Sequence, residues 1–173
     1  WIGHLPGQWG GVTFDDLQAA GHLSPEGWPV SLPQEVEAIE AFILTDQPEG
    51  ALSLIGRYRV TWQGRGDLSL GGLARNVARH DDGGLSFDYR PGPGPVAVRI
   101  TSVDPEDPIR DIRVFREDRA DLIAAGALFD PAFIADIRDL RSVRFMDWMD
   151  TNGSEQIVWQ DRPKPDDFTY VRR

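Results

Sequence analysis

Four residues near the carboxyl end of the chain have types and spacing suited to a ligand-binding site. They are Asp147, Trp148, Asp150 and Asn152. Carboxylate and amide groups form hydrogen bonds to polar ligands, and an indole offers a flat apolar face. In parallel α/β folds ligands bind at the C-terminal ends of strands, so a strand at 143–149 would place these groups at a substrate edge. An apolar strand that runs into an ordinary polar turn would carry similar residues, and this alternative stays open.

The two carboxylates of this segment do not define a catalytic pair. Glycoside hydrolysis needs two carboxyl groups about 5 to 10 Å apart across the scissile bond. Asp147 and Asp150 would point to opposite faces of an extended strand, and in a loop the sequence does not fix their separation. The catalytic residues are therefore unknown. The oxygen-rich sequence at 150–155 differs from an EF-hand, because Gly153 is misplaced and the later bidentate glutamate is absent, so no metal and no cofactor is predicted.

The composition limits the classes of function. The 173 residues include 28 acidic and 18 basic side chains, which gives a formal charge of −10. Nucleic acids and anionic membrane surfaces require clustered Lys and Arg, so neither is an expected partner. The absence of cysteine excludes disulfides and thiolate chemistry, and no apolar run is long enough for a membrane span. A chain that begins at Trp1 is expected to be a processed or excised segment.

Residues 36–116 have the pattern of an antiparallel β-sandwich. Tyr58, Val60 and Trp62 alternate with polar residues, which is the period of a strand with one buried face. The segment 37–45 is interpreted as a strand, although its local propensity also allows a helix. Between Gly- and Pro-rich turns, further short strands are predicted at 68–70, 85–89, 96–100 and 109–115. The sequence therefore predicts a mainly β fold with a two-layer, jelly-roll-like sandwich, and a core supplied by Tyr58, Val60, Trp62, Phe87, Val98, Ile100, Ile112 and Val114.

The lead-in at residues 1–35 is rich in Gly, Pro and Trp, and little regular structure is expected there. One short helix is predicted at 13–20, capped by Thr13 and ended by Gly21. The tryptophans of this segment either pack against the sheet or act as sugar-stacking platforms, and both readings are open.

Residues 117–173 have a third pattern, of helix, strand and loop. A short helix is predicted at 121–125, and Asp130 followed by proline predicts the start of a second helix. The apolar stripe of that second helix is formed by Phe133, Ile134, Ile137 and Leu140. A helix followed by the strand at 143–149 is a βα-type segment that needs neighbouring strands to pair with.

Several stretches of the chain resemble one family in the same order. They are "WIGHLPGQWGG", "DPIRDIRVFRED", "VRFMDWMDTNGS" and "WQDRPKPDD". The family consists of large secreted bacterial proteins with a glycoside-hydrolase-like (β/α)8 barrel that carries an inserted β-sandwich. The resemblance implies that 143–149 is an early barrel strand, that most of the chain before about Glu117 is the inserted sandwich, and that the chain is a piece of a larger protein. In such barrels the catalytic glutamates lie on later strands.

These observations predict an extracellular or periplasmic fragment of a carbohydrate-active protein of the glycoside hydrolase type. The chain would supply an accessory sandwich and one edge of a polysaccharide or oligosaccharide site. On its own it is not expected to catalyse a reaction, because its last strand and helix require a partner, either the rest of the parent chain or a second copy. Two alternatives stay open: a stand-alone, non-catalytic carbohydrate-binding module, and a structural spacer or interaction domain of a surface assembly.

Overall fold

The computed structural model describes residues 12–34, 36–127, 129–144, 157–162, 164 and 167. In this part of the chain the fold is mainly β. The strands are β1 (Ile39–Ile43), β2 (Gly56–Gln63), β3 (Gly66–Gly72), β4 (Arg75–Arg79), β5 (Leu85–Tyr89), β6 (Val96–Val103) and β7 (Arg110–Arg116). They form a three-stranded sheet in the order β1-β6-β3 and a four-stranded sheet in the order β4-β5-β2-β7. Every pairing is antiparallel, which confirms the mainly β, two-sheet prediction for residues 36–116.

The two sheets share one hydrophobic core. Phe87 is fully buried, and its ring stacks on Tyr58 with 5.3 Å between ring centroids. Tyr89 meets Tyr58 edge-on at 5.8 Å. From the other sheet, inward-facing residues of β1, β3 and β6 complete the core, among them Ile39, Leu68, Val96, Val98 and Ile100. Five of the predicted core residues, Tyr58, Val60, Phe87, Val98 and Ile100, are buried, and Trp62, Ile112 and Val114 are half-buried at the margin.

The lead-in packs against this core through one short helix. Helix α1 (Phe14–Ala19) begins at Thr13, whose hydroxyl accepts from the Asp16 backbone N–H while the Asp16 carboxylate accepts from the Thr13 N–H. This capping box satisfies two backbone donors at the helix start. Leu17 is fully buried, and the chain leaves the helix at Gly21 with φ 75°. The predicted helix with its two ends is confirmed.

The segment after the sandwich contains the two predicted helices. They are α2 (Ala120–Ala124) and α3 (Pro131–Ile137). The Asp130 carboxylate accepts from the Ala132 N–H at 2.7 Å, and proline occupies the first turn of α3, as predicted. Three 3₁₀ turns lie at Leu52–Leu54, Glu117–Arg119 and Trp159–Asp161. The predicted strand at 143–149 lies mostly outside the described residues, and its first two residues have no strand structure.

One strand, β4, was not predicted. Its sequence Arg-Asn-Val-Ala-Arg lacks a regular apolar alternation, and its pairing with β5 is interrupted by a bulge between Arg75 and Ala78. Within the bulge Asn76 has φ 47°, a left-handed conformation that asparagine tolerates better than most residues. A strand of this kind forms because β5 offers an unpaired edge, which is a tertiary cause that local sequence does not reveal.

The turn between β2 and β3 requires glycine for two separate reasons, and a matched pair of variants separates them. Gly64 and Gly83 have nearly the same backbone, φ 84° and φ 85°, but a Cβ on Gly64 would lie 2.1 Å from the Pro108 carbonyl oxygen, whereas nothing lies within 4 Å of a Cβ on Gly83. We expect Gly83→Ala to cost about 1–2 kcal/mol for the left-handed backbone alone. Gly64→Ala should cost at least about 2 kcal/mol more, because the backbone must move apart. Urea denaturation of both variants measures the difference, and equal losses would contradict it.

Candidate functional site

The four site residues predicted from sequence lie outside the described part of the chain. They are Asp147, Trp148, Asp150 and Asn152. Their assignment as substrate contacts therefore stays a prediction. The described residues line other recesses, and one that combines a tryptophan with charged residues lies at the end of β2.

This Trp62 recess has a volume of about 340 Å³. It lies between the β2–β3 turn and the β4–β5 turn, two segments that are distant in sequence. Its lining residues are Thr61, Trp62, Gly64, Arg65, Gly66, Arg79, Asp82, Gly83 and Gly84. Trp62 is half-buried, so one part of the indole packs on the core while another part remains accessible.

Two glycines in the wall of the recess lie so close to neighbouring backbone that a side chain would not fit. A Cβ on Gly66 would lie 2.3 Å from the Ser102 carbonyl oxygen. A Cβ on Gly84 would lie 2.9 Å from the carbonyl oxygen of Val60. The same close approach is visible in the hydrogen bond from the Arg65 N–H to the Asp107 carbonyl at 2.7 Å, which ties the β2–β3 turn to the loop before β7. The recess is therefore bounded by backbone that packing fixes in place.

Charged groups surround the opening of the Trp62 recess. The Gly84 backbone N–H donates to Asp82 at 3.0 Å, and Arg59 forms an ion pair with the same carboxylate. These contacts, the backbone hydrogen bond first, hold the pKa of Asp82 below its usual value, so the carboxylate is ionised at neutral pH. Arg65 pairs with Asp104 at 2.9 Å, and Arg79 contacts Asp67 at 3.3 Å. The opening thus offers both anionic acceptors and guanidinium donors to a polar ligand.

A serine and a histidine also meet on the outer face of the four-stranded sheet. His80 Nε2 and Ser86 Oγ are 2.8 Å apart, the spacing of a nucleophile and its base. Ser86 is fully buried, however, and Arg57 donates to the same Oγ at 2.7 Å. A substrate carbonyl cannot reach an oxygen in this position, so the pair stabilises the sheet. Sequence spacing could not have paired these residues, because the β4–β5 turn brings them together.

The same face holds a hydrogen-bonded carboxylate. Asn76 Nδ2 donates to one oxygen of Asp88 at 2.8 Å, and Arg57 Nη1 donates to the other at 2.9 Å. These two donors, Asn76 first, hold the pKa of Asp88 below its usual value. The bulge in β4 is what turns the Asn76 amide towards Asp88, so an irregular strand has a definite electrostatic consequence.

No group of three or more His, Asp or Glu side chains in the described ranges is arranged to hold a metal ion. No helix found there is long and apolar enough to cross a membrane. No protein family, curated protein or solved structure matches the chain. The function is therefore argued from the residues of the chain itself.

Asn76→Gly tests the electrostatic role of the bulge, because glycine keeps the left-handed backbone and removes the amide. The ionised Asp88 stabilises the fold above the usual aspartate pKa of about 3.9, and this contribution is lost as the pH falls towards the depressed folded-state pKa. In Asn76→Gly the pKa of Asp88 should rise towards its usual value, and the loss of stability in acid should become smaller. Carboxyl NMR titration with urea denaturation between about pH 2 and pH 6 measures both quantities.

The control for this variant is Asp118. Its pKa is held down by Arg116, which lies away from the bulge, so Asn76→Gly should leave the pKa of Asp118 in place. The entropy that a new glycine adds to the unfolded chain does not depend on pH and drops out of the comparison. An unchanged pKa of Asp88 would show that the amide hydrogen bond has no such role.

Proposed function

We propose that the chain is the sandwich portion of an extracellular or periplasmic carbohydrate-active protein, and that it binds polysaccharide or oligosaccharide without catalysing hydrolysis itself. The larger protein would be of the kind that the resemblance implies, a secreted protein with a glycoside-hydrolase-like barrel. Within the described residues, the Trp62 recess is the surface that we assign to sugar binding. Asp147, Trp148, Asp150 and Asn152 remain the proposed contacts at the edge of the barrel site.

The observation that carries the proposal is the composition of the Trp62 recess. A half-buried indole packs on the core and lines the recess, and an indole face is an apolar surface suited to a sugar ring. Asp82, Arg65 and Arg79 are ion-paired, but at least half of each side chain is exposed, so their remaining lone pairs and N–H groups can meet a ligand around the same opening. Ligand sites are usually apolar recesses with a few polar groups that fix orientation, and the volume of this recess lies at the lower end of their range.

A second candidate function, protein assembly, is favoured by the surface around α3. Large apolar side chains are exposed there, with relative exposures of 56% for Phe129, 43% for Ile134 and 57% for Leu140. The Phe129 and Phe133 rings lie side by side with 6.1 Å between centroids. Exposed apolar surface of this kind is typical of protein contacts, so it fits a spacer or interaction domain as well as the docking of further parent chain.

Trp62→Leu, compared with Trp159→Leu, tests where sugar binds. Both variants remove one indole, but Trp159 lies outside the recess, where its ring stacks on Arg162 at 3.8 Å. We expect Trp62→Leu to weaken polysaccharide binding at least about tenfold, the effect typical of truncating an aromatic anchor, and Trp159→Leu to leave it unchanged. Calorimetric titration against a polysaccharide panel measures the affinities.

Trp62 also contacts the core, so Trp62→Leu could weaken binding by destabilising the fold. A second variant separates the two effects. Arg65→Gln replaces an exposed guanidinium group at the opening by a shorter neutral amide and leaves the core intact. It should weaken binding with no change in the urea midpoint. If no polysaccharide binds the unmodified protein, the sugar-binding proposal is wrong and protein assembly is the better-supported function. If Trp159→Leu abolishes binding and Trp62→Leu does not, sugar is bound at Trp159 and not in the Trp62 recess.

A further inference from the structure

A second recess of about 340 Å³ lies at the opposite end of β2 from Trp62. It is formed where β2 begins, beside the ends of β4 and β5. This arginine recess is lined chiefly by Gly56, Arg57, Arg75, Asp88, Tyr89 and Arg90. Three arginines and one aspartate thus line one small depression in a chain whose formal charge is −10.

Two of the charged groups in the arginine recess neutralise each other. Arg57 donates to Asp88 at 2.9 Å and to Ser86 at 2.7 Å, and its Nε lies 3.5 Å from Glu117. Asp88 is already engaged through both oxygens, by Arg57 and by Asn76. Neither group is free to bind a ligand. They form a rigid, hydrogen-bonded wall of the recess.

Arg75 and Arg90 form no ion pair with any residue that the structure describes. The sandwich at 36–116 contains ten arginines, and eight of them form ion pairs. The other two are Arg75 and Arg90, which have no acidic partner among the described residues, and both line this recess. Arg75 Nη1 donates to the Gly72 and Ala74 carbonyls at 2.6 and 3.3 Å, so its guanidinium is held in place while its other nitrogens remain available.

The composition of the recess is suited to an oxyanion. A planar guanidinium binds the two oxygens of a carboxylate or sulfate through parallel hydrogen bonds, and two such groups give a locally positive site on an acidic protein. The net charge of the chain repels a polyanion that has no other means of binding, so a ligand must present its anion together with a group that contributes binding elsewhere. A sugar that carries an acidic substituent satisfies this condition, because its hydroxyls and ring faces can use the polar surface around the recess.

We propose that the arginine recess binds the oxyanion group of an acidic saccharide, a uronate carboxylate or a sulfate ester, with Arg75 and Arg90 as the donors. This assignment rests on the proposed sugar-binding function and narrows its ligand class. It also explains why these two arginines alone among those of the sandwich lack an acidic partner in the described structure. The anion of the ligand takes the place of that partner.

The test compares three oligosaccharides of equal length: an oligogalacturonate, a sulfated oligosaccharide and a neutral oligosaccharide. Affinities are measured by calorimetry for the whole chain, for Arg75→Gln, for Arg90→Gln and for the double variant. The control is Arg113→Gln, which removes the same charge from an exposed ion pair with Asp111 outside the recess. We expect at least one acidic ligand to bind about tenfold or more tightly than the neutral one, and the double variant to lose this preference, as for charge-assisted hydrogen bonds.

The outcomes separate this inference from the proposed function. If the protein prefers just one of the two acidic ligands, that ligand identifies the oxyanion, and the assignment is supported. If acidic and neutral ligands bind equally well, and Trp62→Leu still weakens the binding of both, the arginine recess is not an oxyanion site. The proposed function then still stands. An equal effect of Arg113→Gln, or a preference that survives in the double variant, also overturns the oxyanion assignment. If no saccharide binds, the proposed function and this inference fail together.

Discussion

The contact among Tyr58, Phe87 and Tyr89 is the interaction on which the rest of the structure depends. It fixes the register of β2 against β5, and the two tyrosine hydroxyls extend it outward: Tyr89 donates to the Leu44 carbonyl just after β1 at 3.1 Å, and Tyr58 donates to the Leu54 carbonyl at 2.8 Å. Burial raises the pKa of both tyrosines, so both hydroxyls remain protonated donors at neutral pH. The Tyr89 hydrogen bond links the two sheets directly. A core of this kind specifies a single packing, because aromatic rings with hydrogen-bonded hydroxyls cannot slide without losing a buried partner.

The position of β2 between β5 and β7 explains why both recesses lie at its ends. Gly56 and Trp62 are six positions apart, which is about 20 Å along an extended strand. Between them the outer face of the sheet is filled by hydrogen-bonded polar groups, and the inner face is filled by core side chains. In the described part of the chain, one recess lies where β2 begins and one where it ends, and turns from distant parts of the sequence form their walls.

The alternation of apolar residues along strands and the capping residues of helices were sufficient to predict most of the fold. The alternation around Val60 predicted β2, and Thr13 and Asp130 predicted the starts of two helices that the structure contains. The strand β4 was missed because its pairing depends on a bulge and on the left-handed Asn76. The Trp62 recess was missed for a related reason. Trp62 was correctly assigned to the inward face of β2, but its neighbours in the recess come from a turn about twenty residues later, and a strand pattern carries no information about which turn lies beside it.

Ion pairing in the sandwich determines which charged groups are left to interact with a ligand. The pairs are exposed, for example with 36% of the Arg57 side chain and 44% of the Asp88 side chain accessible, and each such pair contributes about 0–1 kcal/mol to stability. Eight paired arginines therefore add little to the fold. Their effect is to cancel positive charge nearly everywhere on an acidic surface. Among the described residues, Arg75 and Arg90 are the two arginines of the sandwich without an acidic partner, and both line one recess. Their positive potential is local, because screening removes the contribution of charges more than about 10 Å away. An acidic chain can in this way present a small cationic site that a uniformly mixed surface of the same composition would not have.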